Sequence, residues 1–234
     1  MAKFDNIMKH VLTWEGGHSS DPDDNALKYG HSGVKGGNYV SKYKDNYIHT
    51  NRGVTWGTWR SYKNRIGQKL DGMEFVNMTI DDWKKFAKYM FWNPYFLDNV
   101  NSQGVAEIIF DAYWGGGGSV LVRQMQQYLT DRGYSTKGVD GAMGKNTASA
   151  INKYTEDPTR EKELIKFLSD KRIAWLKTRE DWGKYGRGWT NRVNAMYKQA
   201  INYITSNPVA TAGIGLGTIL LGAVVIFLVT KNNS

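Results

Sequence analysis

The sequence predicts a mainly α-helical protein with a small loop or β-hairpin excursion near its start and a C-terminal transmembrane helix. Three observations carry this. Apolar residues recur at helical spacing over most of the chain, between recognisable start and stop signals. Residues 18 to 53 break that pattern and are rich in Gly, Asp, Asn, Ser, Tyr and Lys, the composition of loops and turns. Val209 to Thr230 then runs for 22 residues without a charge.

Each element follows from local signals. Phe4, Ile7, Met8, Val11 and Leu12 stand at i, i+3, i+4, i+7 and i+8, one buried helix face, and Gly16-Gly17 is its stop. Tyr39 to Val54 (YVSKYKDNYIHTNRGV) reads as a short hairpin inside a long, function-bearing loop. Thr55 to Arg65 is helical. Thr79 caps a helix whose first turn holds Asp81 and Asp82 and which runs through Met90; Pro94 limits it. Gln103 to Tyr113 forms the next helix and Gly115 to Gly118 close it. Four glycines in a row are costly to order and point to a close backbone approach or a hinge. Helices follow at Val120 to Leu129, Lys145 to Tyr154, Asp157 to about Thr178, and Thr190 to Ser206. The glycine run and Ser206-Asn207-Pro208 divide the chain into residues 1–114, 115–206 and 207–234.

Composition narrows the function classes. The 234 residues carry a formal charge of +9 and no cysteine. There is therefore no disulfide framework, thiolate metal site or cysteine nucleophile. A basic surface favours polyanionic partners: nucleic acid, anionic lipid or acidic wall polymer. No basic run or nucleic-acid module is present, so nucleic acid is not an expected partner. The N-terminus has no signal-peptide h-region. The charge-free segment 209–230 would span roughly 33 Å as a helix, enough to cross a bilayer. It predicts a single-pass C-terminal anchor in a virion membrane or the host cell envelope, with Gly213 and Gly217 as a G-x-x-x-G face for a homo-oligomer.

Glu15 is the leading catalytic candidate. It ends the first helix beside Trp14 and precedes the acidic loop Asp21-Pro22-Asp23-Asp24. An apolar neighbour favours the protonated form of a carboxyl, which suits a glycosidase acid. A second carboxylate in a wetter loop can stay ionised and activate water or stabilise positive charge. A glutamate before Gly-Gly is also an ordinary solvated residue of a last helical turn.

Glu15-Gly16-Gly17, Asp21-Pro22-Asp23-Asp24 and Thr50-Asn51-Arg52-Gly53-Val54-Thr55 together resemble the opening of the glycoside hydrolase family 108 lysozymes, N-acetylmuramidases common in phages and bacteria. Ala106 to Asp111 is similar to that family's mid-domain helix. Val139 to Gly144 with Thr147, and Gly188 to Val193, resemble elements of its associated peptidoglycan-binding region. The resemblance covers about residues 4 to 197. It implies a lysozyme-like α-rich catalytic region over 1–114, a helical wall-binding region over 115–206 packed on it, and cleavage of the β-1,4 bond between N-acetylmuramic acid and N-acetylglucosamine. It implies that Glu15 is the catalytic acid. One departure from the family is an extra stretch of about 25 residues between Asn25 and His49. Another is the glycine run at 115–118, where the family has an Asn or Ser and a single Gly.

The remaining candidates have competing structural roles. Asp24 matches the second acid, yet Asp-Pro-Asp-Asp is also turn chemistry. The loop lacks the glycine and glutamate of an EF-hand, and the four histidines have no metal-ligand spacing, so no metal or cofactor is expected. Thr55 is a candidate to position water and equally a helix N-cap. Asp21, Thr50, Asn51, Tyr113 and Trp114 are the candidate glycan contacts, with peptidoglycan strands as partner. Arg192 reads as an ion-pair partner, Trp189 as core and Asp140-Gly141 as a turn. Alternatives to the hydrolase are a lytic transglycosylase on the same bond and a non-catalytic, membrane-anchored wall-binding protein.

Overall fold

The computed structural model describes residues 1–21, 33–35 and 47–206. Helix α1 (Phe4–Trp14) lays Phe4, Ile7, Met8 and Val11 into the core. A three-stranded antiparallel sheet follows, built from β1 (His18–Ser19), β4 (Thr50–Asn51) and β5 (Val54–Thr55) in the order β1-β4-β5. Strands β2 (Val34–Lys35) and β3 (Tyr47–Ile48) form a separate pair. A tight hairpin forms from β4 and β5, at the end of the expected 39–54 stretch, of which residues 39–46 lie outside the described residues. Thr50 faces Thr55, and Arg52-Gly53 make the turn with φ of 49° and 74°. Two successive positive φ angles are the type I′ geometry that matches strand twist.

Thr55 caps α2 (Trp56–Arg65), accepting a hydrogen bond from the Thr58 amide at 3.2 Å. A short helix α3 (Gly72–Val76) comes next. Its five residues are too few for a periodic signal in the sequence. Thr79 and Asp82 form a capping box on α4 (Ile80–Ala87), which passes into a π-helical turn (Lys88–Trp92) and two 3₁₀ turns, Asn93–Tyr95 and Leu97–Asn99. Helix α5 (Gln103–Trp114) is the axis of the molecule, and all its residues from Gly104 to Ala112 are buried. It is covered by α6 (Gly118–Thr130), α8 (Pro158–Lys177) and α9 (Trp182–Thr205), while α7 (Lys145–Tyr154) packs on α6. The mainly α class with a small β excursion is what forms.

Two expectations change. Helix α9 starts at Trp182, eight residues before Thr190. Gly183, Gly186 and Gly188 lie in or beside that stretch, and the helix runs through them. A side chain at 186 would stand 2.6 Å from the Trp182 ring, so this glycine lets the indole lie against the helix.

The transmembrane helix is also corrected. Among the described residues no helix is long and apolar enough to cross a membrane. The longest, α9, carries Lys184, Arg187, Arg192 and Lys198 and buries one face against α5 and α8, so it is a packed amphipathic helix. The segment 209–230, on which the membrane partner, the single-pass localisation in a virion or host membrane and the G-x-x-x-G oligomer all rested, lies outside the described residues.

Candidate active site

Glu15 is the first residue after α1, in extended conformation. Its carboxylate has 10% of its side-chain surface exposed and is held by two donors. The Trp114 indole donates to Oε1 at 2.8 Å, and Arg192 Nη1 donates to the same oxygen at 2.8 Å. Arg192 also donates from Nε to Asp111 Oδ1 at 2.7 Å. Asp111 Oδ2 stands 4.0 Å from Arg172 Nε. Two carboxylates and two guanidiniums thus alternate in one largely buried chain: Glu15, Arg192, Asp111, Arg172. Burial works against the charge of Arg192, but Asp111 and Glu15 outweigh it and hold its pKa above the ordinary arginine value. His10 is buried beneath this group and its pKa is lowered, chiefly by desolvation.

The opposite wall is the β4–β5 turn. A side chain at Gly53 would lie 2.0 Å from Glu15 Oε2 and 3.2 Å from the Trp114 ring. Only glycine permits this approach, and φ of 74° requires it independently. The turn is pinned on three sides. The Arg52 amide donates to the Gly17 carbonyl at 3.1 Å, Trp83 Nε1 donates to the Arg52 carbonyl at 3.0 Å, and Arg52 Nε donates to the Met78 carbonyl at 3.4 Å. The result is a carboxylate fixed from three directions, with Oε2 facing glycine backbone.

The aromatic partner of Glu15 is Trp114. Trp14 is 37% exposed and sits over His10, with ring centroids 6.4 Å apart. Trp114 itself is fixed among Trp83, Phe86, Phe91 and Phe110. Tyr113 points about 100° away on the same helix. It stacks flat on Tyr95 with centroids 3.4 Å apart, covers Gly118, and has its phenol pushed up to about 12 by burial.

The hairpin candidates carry structural hydrogen bonds. Asn51 Nδ2 donates to the Phe75 carbonyl at 2.7 Å and the Val76 carbonyl at 3.1 Å, tying the sheet to α3. The Thr50 hydroxyl bonds His49 Nδ1 at 2.8 Å, and His49 Nε2 donates to the Asp21 carbonyl at 3.0 Å. Thr55 Oγ1 caps α2 and bonds the Thr58 hydroxyl at 2.8 Å. Asp24 lies outside the described residues. Among the described residues no cluster of three or more His, Asp or Glu side chains is placed to hold a metal ion.

Arg192 was legible as an ion-pair partner; that its partners are Glu15 and Asp111 was not. The three lie 177 and 81 residues apart along the chain. Only Asp111, a carboxylate inside the otherwise apolar run Ile108 to Trp114, carried a local sign of a buried pair.

Residues 8–117 match the family model of glycosyl hydrolase 108. The chain has a glycosyl hydrolase 108 fold. It is also similar to the structure of SagA from Brucella abortus, with a TM-score of 0.60 and 26% identity over 86% of this chain and 94% of that one. No curated protein matches the chain. The glycosyl hydrolase 108 match contains Glu15, the β4–β5 turn, Asp111 and Trp114, and ends at the glycine run; Arg192 and Arg172 come from the helices beyond it. A fold of this family supports a glycoside hydrolase.

Proposed function

We propose that this glycoside hydrolase is an N-acetylmuramidase of peptidoglycan, of the kind phages use to open a host wall. It would cleave the β-1,4 bond between N-acetylmuramic acid and N-acetylglucosamine, with Glu15 as general acid. The observation that carries the reading is the placement of Glu15. The carboxyl is fixed by Trp114 and Arg192 and closed over by Gly53, at the seam between the small sheet and the helical body. Seams of this kind are where ligand clefts form. A general acid must be protonated before it donates. Asp24 is our candidate for the second carboxylate, on the family position alone. Asp21, Thr50 and Trp114 would line the glycan path around it, while Asn51 would act by tying the sheet to α3 and Thr55 chiefly by capping α2.

The test is the product spectrum of purified protein on cell-wall sacculi. Reducing N-acetylmuramic acid ends support the proposal. Release of N-acetylglucosamine ends, or no glycan cleavage, ends it. Asp24→Asn should slow turnover more than Asp23→Asn; equal and small effects would remove Asp24 from the mechanism. One observation favours a transglycosylase as second reading. Asp111, the carboxylate that shares Arg192 with Glu15, is tied up in the ion-pair chain and unsuited to activate water. Anhydro-muramic products in the same spectrum would select it.

A further inference from the structure

A cavity of about 380 Å³ lies between the end of α5, α8 and the start of α9. Glu15 does not line it, but Asp111 and Arg192 do, so it adjoins the proposed catalytic carboxyl through their ion pair. The other walls are Gly115, Gly116, Arg172, Trp175, Arg179 and Trp189, with Glu180 and Asp181 among the lining residues.

We propose that this cavity binds a carboxylate-bearing peptide, and that in the wall it takes the stem peptide of the glycan strand held at Glu15. The second half rests on the muramidase reading; the first does not.

Three guanidiniums converge on this space, and one of them is poorly compensated. Arg172 is buried, with 5% of its surface exposed. Its Nη1 donates to the Gly116 carbonyl, its Nε has no hydrogen-bond acceptor, and Asp111 Oδ2 is 4.0 Å away. The other Asp111 oxygen is engaged by Arg192 at 2.7 Å. Burial lowers the pKa of Arg172, Asp111 opposes this, and Arg192 adds repulsion. A buried guanidinium in this condition gains most from a carboxylate, which it binds by charge-assisted, paired hydrogen bonds.

The glycine run is built for such an approach. A side chain at Gly115 would lie 2.8 Å from Arg172 Nη2, so this glycine leaves the guanidinium uncovered where any other residue would press on it. The cavity is also poorly suited to a sugar ring. A pyranose needs a bare indole face. The Trp175 ring is already covered by Gly117, whose added side chain would come within 2.6 Å, and by the guanidiniums of Arg172 and Arg179 at 5.0 and 5.1 Å. Trp189 leans on Trp182 and Tyr185. Glu180 and Asp181, next to these cations, favour a ligand that carries an amino group beside its carboxylate. Wall stem peptides, with their free carboxylates and diamino acid, have that charge pattern.

Calorimetry on the full chain tests this with three probes: the tetrapeptide L-Ala-γ-D-Glu-diaminopimelate-D-Ala, its carboxamide form, and chitotetraose. The tetrapeptide should bind saturably and the carboxamide at least about tenfold more weakly, the loss expected for one charge-assisted pair. Arg172→Gln should abolish binding. If that variant fails to fold, Arg179→Gln, at an exposed position, should weaken the tetrapeptide about threefold or more, as for a partly screened pair. No tetrapeptide binding, equal binding of the carboxamide, or displacement of the peptide by chitotetraose would overturn the proposal. Cleavage of peptide-stripped glycan is measured in parallel. A protein that cleaves it but ignores the peptide loses only this inference; one that binds the peptide but cleaves no glycan loses only the muramidase reading.

Discussion

Glu15 and Gly53 meet at a distance that leaves no room for either to change. Glu15→Gln keeps the size of the side chain and its acceptor for Trp114 and Arg192, so the fold should survive. The variant has no proton to give, and glycan cleavage should fall at least ~10²-fold, the lower range for losing a general acid. Release of reducing ends from sacculi, alongside an unchanged circular dichroism spectrum, checks this; near-wild-type cleavage would remove Glu15 from the mechanism. Gly53→Ala adds one methyl group, 2.0 Å from Oε2. The carboxylate or the turn must move, and alanine at φ of 74° is strained by about 1 kcal/mol or more. Activity should drop much further than the melting temperature, because the displacement is focused on the reacting group. A variant as active as the parent would mean that Oε2 need not stay where the turn holds it.

At the scale of elements, the α5–α9 contact holds a second buried carboxyl. Glu107 is fully buried and receives hydrogen bonds from Gln103, Gln199 and Tyr203, all neutral donors. Desolvation outweighs them and raises its pKa from 4.5 to about 7. The folded value lies above the unfolded one, so its contribution to stability is complete below about 4.5 and is lost as pH rises through 7. On this account the protein should be less stable at pH 8 than at pH 5, by on the order of 3 kcal/mol. Glu107→Gln should flatten that slope. Urea midpoints at the two pH values measure it, and an unchanged slope in the variant would place the pH dependence elsewhere. Close packing at the same crossing is visible at Gly104, where a side chain would come within 2.6 Å of Ala200.

At the scale of the molecule, Arg192 joins the end of α1 to α9. It binds Glu15 through Nη1 and Asp111 through Nε, a fork that an ammonium cannot copy. Arg192→Met leaves two largely buried carboxylates facing each other and should cost about 3–5 kcal/mol. Arg192→Lys should recover only part of this, and thermal unfolding of the two variants checks the order. The same geometry bears on residues 1–117, which hold the whole family match. They lack α8 and α9, the helices that cover α5, and they lack both guanidiniums of the ion-pair chain. Expressed alone, they should be protease-sensitive and lack a cooperative unfolding transition. A stable, cooperative fragment would show that residues 115–206 are an addition and not part of the core.

The sequence alone determined most of the helices, because these follow from local rules. Thr55 and Thr79 cap what they were expected to cap, Asp157 stands at the start of the helix expected from it, and Phe4, Ile7, Met8 and Val11 bury the expected face. It also singled out Glu15 and the Thr50 to Thr55 motif, through patterns only a few residues long. It could not supply α3, whose five residues are too few to show a repeating pattern, or the early start of α9, where Gly186 serves as a seat for Trp182. Tertiary structure alone decided which indole meets Glu15. Trp14 is adjacent in sequence but lies over His10, whereas Trp114 arrives from 99 residues away. It alone paired Glu15 and Asp111 with Arg192 and set Gly53 against Oε2. Local propensity acts over a few residues and can be read along the chain; charge pairing and close approach depend on which distant surfaces the packed core brings together.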